Sequence, residues 1–284
     1  LSDVRCTLSA IHLYPVKSCG GLAPAEALLV ETGLELDRAW MVVDADGEML
    51  TQREVPRMAL IRPTLKGDEL VLRAPGMLAL HLSLDAVESP TQVRVWNDEV
   101  KAYEMGALAG QWFGDLLGRP GLRLVRFDPD QKRLSDRRWT GAIEAESAFA
   151  DAFALLVTST ASLADLNARL AARGQAPVTM QRFRPNLVLD GLEPFDEDHI
   201  DELVIAADEG PVRLKLVKPC SRCSIPNVDP ATAETSNEPG DTLAGFRADA
   251  RVGGAITFGM NAVVVDGVDR VLRPGRTVQA NFRF

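Results

Sequence analysis

The chain reads as a β-rich α+β protein, mainly β with some α, arranged as two β-rich units. Three observations predict this. Short apolar-alternating runs recur between turn signals such as Asp46-Gly47, Lys66-Gly67-Asp68 and Ala74-Pro75-Gly76, which is the spacing of a barrel or sandwich. Only two stretches, 107–117 and 162–172, carry the apolar spacing of an amphipathic helix. The order is many strands, one helix, a loop, then more strands with one helix, which does not fit a repeated βαβ array.

In chain order, 7–14 alternates apolar and polar residues and is expected to be a strand. Residues 15–21 then turn, with Lys17 and Ser18 at the tip. Residues 25–30 are a short apolar run. Residues 38–44 are a strong strand candidate, and Asp46-Gly47 should return it through 48–52 as a hairpin. Strands are expected at 59–65, 69–73, 78–84 and 91–96. Leu108, Trp112, Leu116 and Leu117 place one apolar face on a helix over 107–117, which Gly118 ends. A strand over 122–127 follows, then a polar, exposed loop over 128–146. After a strand at 154–158, the helix over 162–172 takes its cap from the Ser159–Ser162 stretch and its stop from Gly174. Strands are expected at 183–189, 203–205 and 213–217. A polar loop over 231–250 holds at most one helical turn, and strands at 261–265 and 277–282 close the chain.

With 284 residues, 46% of them hydrophobic and 25% charged, the chain has the composition of a soluble globular protein. No apolar run approaches the roughly 18 residues of a membrane helix. The formal charge of −9 argues against nucleic acid as the main partner, because phosphate backbones want a basic surface, but it leaves room for one small anion in a local basic pocket. Four cysteines are too sparse for a disulfide scaffold, which points to a reducing, cytoplasmic setting.

The chemistry concentrates in Val217–Pro230, where Cys220 and Cys223 sit two residues apart beside Lys218 and Arg222, among three prolines. Pro219, Pro226 and Pro230 suit a stiff loop at a strand end better than a regular ladder. Neighbouring cations favour the thiolate needed for attack or metal ligation. The pair admits a zinc site, a redox couple, a single thiolate on a soft metal, or ordinary buried cysteines. No second pair or histidine cluster supports zinc, since His12, His81 and His199 are far apart. The β-rich context and Pro226 speak against a thioredoxin-like couple. Elsewhere, Lys17, Ser18 and Arg38 could hold one phosphate group, with the guanidinium as a planar fork. Arg182, Arg184 and Asn186 suit an anion or polar heterocycle at a strand mouth. The acidic run from Glu193 to Asp201 lacks the spacing of a calcium loop. No phosphate-binding loop of the nucleoside triphosphatase or dinucleotide type is present.

Four separated segments occur together in one order: Tyr14-Pro-Val-Lys-Ser-Cys19, Asp37-Arg-Ala-Trp40, Phe183-Arg-Pro-Asn186, and Lys218-Pro-Cys-Ser-Arg-Cys223 with Val228-Asp-Pro230. In these the chain resembles the MOSC family, named for the C-terminal domain of molybdenum cofactor sulfurase, in the branch that also carries the MOSC N-terminal β-barrel domain. The resemblance implies an N-terminal MOSC-type β-barrel domain over 5–125 and a MOSC β-barrel domain over 126–284. It implies a molybdenum cofactor, Mo-molybdopterin, bound between them. Lys17, Ser18 and Arg38 would hold the pterin phosphate, Arg184 and Asn186 would contact the pterin, and Ser159 would border it. Cys223 would ligate molybdenum, Cys220 would shape the loop, and Glu193 would be the proton donor. The implied activity is reduction of N-oxygenated small molecules such as amidoximes and hydroxylamines; the rival is a cofactor-binding or sulfur-carrier protein without turnover. The chain lacks the C-x4-C-x2-C cysteines of an iron–sulfur domain, so electrons are expected from a separate ferredoxin, flavoprotein or haem protein. Neither a membrane nor a nucleic-acid partner is expected.

Overall fold

The computed structural model describes residues 4–283, and the alternation of side chains along its strands decides what lies inside. In β1 (Val4–Ile11), Cys6 and Leu8 are buried while Arg5, Thr7 and Ser9 face out. A bulge between Leu8 and Ala10 then shifts the register, so that Ile11 rather than Ala10 is buried. The next strands are β2 (Ala27–Val30), β3 (Gly33–Leu34) and β4 (Trp40–Val43), the last buried at all four positions. Then come β5 (Arg62–Lys66), β6 (Glu69–Arg73), β7 (Leu80–Ser83), β8 (Pro90–Val95), β9 (Asp98–Glu104), helix α1 (Ala107–Leu117) and β10 (Arg123–Phe127). Strands β4, β10, β9 and β8 form one antiparallel sheet, and β5, β6 and β7 form another. Helix α1 packs its Trp112, Phe113 and Leu116 face into the same core as Trp40, Val42 and Leu124. Gly110 permits this approach, because a Cβ there would lie 2.5 Å from the Leu122 carbonyl oxygen.

The second unit contains α2 (Arg137–Thr140), β11 (Leu155–Ser159), α3 (Thr160–Ala172), β12 (Leu187–Asp190), β13 (Ile200–Ile205), β14 (Val212–Ser221), α4 (Gly240–Ala244), β15 (Ala248–Asp249), β16 (Ala255–Asp266), β17 (Val271–Leu272) and β18 (Thr277–Phe282). Seven strands close a barrel in the order β11-β12-β1-β18-β13-β14-β16, with β16 pairing back to β11. Only β11 and β12 run parallel, joined by α3 as the crossover that such a pair needs. Leu8, Val157, Leu189, Leu203, Leu214, Met260 and Val278 fill the interior. The barrel takes β1 from the start of the chain, and β17 pairs with β2, so residues 4–11 and 27–30 are tied to the second unit.

The expected fold class holds, with a β-rich chain and few helices among the described residues. Local differences have physical causes. The hairpin expected after Asp46-Gly47 reduces to a single bridge, Val43 to Met49, because the chain turns away at 51–55. Strand β9 has no apolar run to announce it, since only Val100 and Ala102 are fully buried in Asp-Glu-Val-Lys-Ala-Tyr-Glu. The strand expected over 59–65 starts at Arg62, after a 3₁₀ turn at Pro56–Leu60. The strand expected over 183–189 starts at Leu187; a 3₁₀ turn at Met180–Arg182 and Pro185 hold the preceding residues out of the ladder. Conversely, β14 runs through Pro219 and Cys220 to Ser221, where a stiff loop was expected. Its partner β13 stops pairing at Lys215, so beyond that point β14 is an edge toward one side and tolerates proline, with bulges at Leu216/Lys218 and Pro219/Ser221.

Candidate functional site

A cleft of about 200 Å³ lies between the two units. The first unit supplies Lys17, Ser18, Arg38, Thr51 and Arg53; the second supplies Asp151, Phe183, Arg184, Asn186, Lys218, Cys220, Arg222 and Cys223. The Lys17–Ser18 turn is pinned by Lys17 N–H donating to the Trp40 carbonyl at 2.8 Å. Ser18, Arg38 and Arg184 hold φ of 65°, 50° and 58°. Non-glycine residues adopt this left-handed region only when their surroundings enforce it, and such strain gathers at functional sites.

Six cationic side chains line the cleft (Lys17, Arg38, Arg53, Arg184, Lys218, Arg222) against one carboxylate, Asp151. In a chain of net charge −9 this is a local reversal of sign. Lys17 is buried, and its Nζ donates to the Phe149 carbonyl at 2.8 Å and to Asp151. Two of its three donor directions are thereby used and one is left for a ligand. Burial pushes the Lys17 ammonium below the ordinary lysine range, and the charge and hydrogen bond of Asp151 oppose that shift. For Asp151, desolvation acts upward, but the Lys17 charge and hydrogen bond, followed by Arg53 and the Trp96 indole, outweigh it and hold the carboxyl below the usual range. The carboxylate remains half-exposed toward the open side.

Arg38 donates to Asp37, to Asn186 Oδ1 at 3.1 Å and to the Arg184 carbonyl at 3.0 Å. It also lies 4.4 Å from the centroid of Tyr14, whose ring has the Arg184 guanidinium 4.3 Å from its centroid. Burial, with Arg38 nearby, pushes Arg184 down to about 10. Its Nη2 and the Nε of Arg222 are buried without a partner among the described residues. Buried guanidinium nitrogens left open in a cationic cleft are the mark of an anion site. Ser18 adds a hydroxyl with no hydrogen-bond partner among the described residues, while its carbonyl is held by Gln52 Nε2 at 2.7 Å.

The two thiols are not equivalent. Cys220 Sγ accepts from Arg222 Nη1 at 3.0 Å, whereas Cys223 is exposed and free. Among the described residues no group of three His, Cys, Asp or Glu side chains could hold a metal on its own. A metal held here would have to bring ligands of its own, with the cleft thiols as the soft protein donors on offer. A thiolate suits a soft centre of that kind.

Six of the eight site residues expected from the sequence meet in the cleft: Lys17, Ser18, Arg38, Arg184, Asn186 and Cys223. Ser159 and Glu193 do not line it. Ser159 is fully buried at the start of α3, where its Oγ caps Ser162 N–H and donates to Glu197 at 2.9 Å. Glu193 is exposed on the loop after β12, its backbone N–H held by Asp196 at 3.0 Å. Arg53 and Asp151 went unread in the sequence, since each lies in an irregular segment with no motif around it. Arg133, read as part of an exposed loop, is buried and donates to the carbonyls of Ala148, Ala150 and Asp151, fixing the segment that carries Asp151.

Since sulfate keeps one charge across the neutral range, it probes the cleft directly. Sulfate binding to cofactor-free protein is expected to weaken as pH rises through the lowered Lys17 value, because the ammonium is the anion-binding form. Lys17→Arg should carry binding to higher pH. A pH-independent affinity in calorimetric titrations would remove Lys17 from the cradle.

Fold and cleft together define a two-unit β protein with a cationic site between the units and one open thiol at that site. Residues 5–120 match the MOSC N-terminal beta barrel domain and residues 144–281 the MOSC domain, and the chain belongs to the MOSC family. It is 36% identical over 252 residues to mitochondrial amidoxime reducing component 2 of Rattus norvegicus, covering 85% of this chain and 72% of that one. Mitochondrial amidoxime-reducing component 1 of Homo sapiens is 36% identical over 250 residues, with the same coverage of both chains. Molybdenum cofactor sulfurase of Danio rerio is 31% identical over 271 residues, covering 90% of this chain and 31% of that one. Among the described residues no helix is long and apolar enough to cross a membrane.

Proposed function

We propose that this chain is a molybdenum cofactor-dependent reductase of N-hydroxylated compounds such as amidoximes and hydroxylamines, supplied with electrons by a separate protein. The observation that carries the reading is the cleft: six cations, buried guanidinium nitrogens without partners among the described residues, and the exposed thiol of Cys223, in a chain whose relatives are named amidoxime-reducing components. The residues fit the group. Lys17 has one donor direction left, Ser18 a free hydroxyl, and Arg38 stands beside them, which suits the pterin phosphate. Arg184 and Asn186 border the pterin, and Cys223 ligates molybdenum. When bound, the cofactor supplies the two-electron chemistry.

Reducing an amidoxime consumes two electrons and two protons and yields the amidine and water. The chain's own residues position the reactants. Asp151 is the carboxylate in the cleft, kept ionised by Lys17 and Trp96 Nε1, so it accepts hydrogen bonds and orients donors, while the two protons come from solvent at the open side. Glu193, outside the lining, is left out of proton delivery. Ser159 contributes through the α3 cap and not by contact. The electron donor is a ferredoxin, flavoprotein or haem protein, and four free cysteines suit a reducing compartment such as the cytoplasm.

Protein made in a host that synthesises the cofactor is expected to carry near-stoichiometric molybdenum and pterin, and to reduce an amidoxime with a chemical reductant. Absence of molybdenum would sink the reading. The exposed Cys223 also suits a sulfur carrier; a persulfide trapped there, with no N-reduction, would favour that reading instead.

A further inference from the structure

Trp96 is the first residue of a two-residue turn at the tip of the β8–β9 hairpin, since Val95 pairs with Asp98. Its φ is 55°, a conformation that glycine, asparagine or aspartate ordinarily supplies and that strains a bulky side chain. The residue is 45% exposed, one of the few large apolar side chains so placed. Strain and exposed apolar area are two separate costs, and the hairpin needs neither. A tryptophan kept here has a use for its ring.

The surroundings say what that use is. The Trp96 indole donates to Asp151 Oδ1 at 3.3 Å. The Arg53 guanidinium lies 4.3 Å from the ring centroid, and its Nε is fixed by Thr51 Oγ1 at 3.3 Å. Asp151 and Arg53 both line the cleft. Arg53 therefore covers one face of the indole, and Trp96, although not itself a lining residue, sits against two side chains that line the cleft and keeps 45% of its surface exposed beside them. A supported aromatic face there offers offset stacking to another flat π-system, while a small aliphatic group gains little from it.

We propose that Trp96, backed by Arg53, is a stacking shelf at the mouth of the cleft that selects flat, conjugated N-hydroxylated substrates over aliphatic ones. This rests on the reductase reading. A substrate lying on the shelf is held at the edge that Asp151 shares, so selection and orientation come from the same contact. Trp96 is a specificity-determining residue, and it is also a positioning residue for Asp151 through the indole N–H.

The test compares benzamidoxime with acetamidoxime, which share the reacting group and differ by phenyl against methyl. The holoenzyme is assayed with a chemical reductant. Trp96→Asn keeps a side chain that the turn conformation favours and so protects the fold, while Trp96→Phe keeps a ring without the N–H. The ratio of kcat/KM for benzamidoxime over acetamidoxime is expected to fall about fivefold in Trp96→Asn, mainly through KM, and to stay within about twofold in Trp96→Phe. An unchanged ratio in Trp96→Asn overturns the shelf. If the wild-type holoenzyme reduces neither compound, the reductase reading fails, and the shelf is judged by calorimetric titration of benzamidoxime without reductant. There Trp96→Asn should bind about fivefold more weakly than wild type; equal affinity, or no binding to either, overturns it.

Discussion

Cys223→Ser protein is expected to lose its molybdenum and fall to background in amidoxime reduction, while Cys220→Ser keeps the metal. Serine replaces thiol with hydroxyl at nearly constant volume, so the fold is unaffected and the change is one of ligand chemistry. A hydroxyl at neutral pH is a poor donor to a soft metal, whereas a thiolate is a good one. The asymmetry between the two cysteines comes from their neighbours. Cys220 lies inside β14 and its sulfur already accepts the Arg222 guanidinium at 3.0 Å. Cys223 lies past the end of that strand, exposed and unpartnered. Removing Cys220 disturbs a support of the loop, an effect of at most about ten- to a hundredfold on metal retention. Metal content per chain and turnover are measured together on both variants. A Cys223→Ser protein with full molybdenum and full activity would show that the ligand has been misassigned.

The loop's own residues do not separate those two thiols; only the family resemblance assigns them different roles, and the contact that distinguishes them physically depends on how Arg222 folds back. Other parts of the molecule were readable for definable reasons. Helix α1 and strand β6 match the expected bounds because one shows a clean apolar face and the other is bracketed by turn residues. Lys17, Ser18, Arg38, Arg184, Asn186 and Cys223 were legible as one site only through motifs shared with a family, since nothing in their spacing brings residues 17 and 223 together. The closed barrel was legible as a class but not as a topology: its strand β1 comes from the far end of the chain and pairs with β12 and β18. Asp151 carried no signal at all. It sits in an irregular segment whose position is set by the buried Arg133, and a long-range side-chain contact of that kind leaves no periodicity to read.

Arg38→Ala is expected to lose cofactor and much stability together, and Lys17→Met to lose cofactor with a smaller stability loss, although both residues belong to the same proposed phosphate cradle. The difference lies in what each leaves behind. Arg38 and Asp37 have side chains 13% and 2% exposed. Without the guanidinium, the Asp37 carboxylate keeps the Tyr14 N–H at 2.8 Å but has no countercharge in a buried place. Breaking a buried pair from one side costs about 3–5 kcal/mol. Arg38 also ties Asn186 to the Arg184 carbonyl, so its loss loosens the arginine that borders the pterin. Lys17, by contrast, pairs with an Asp151 side chain that is 53% exposed, and water can replace the ammonium there. Methionine fills the buried stem without the cost of burying a charge but leaves the Phe149 carbonyl without its donor, so stability should fall by about 1–2 kcal/mol, less than in Arg38→Ala. Denaturant midpoints and pterin content on the two variants separate the outcomes. Equal stability losses would mean that Asp37 is better hydrated than its burial implies. Undiminished pterin in Lys17→Met would remove the lysine from the cradle and leave Ser18 and Arg38 to hold the anion.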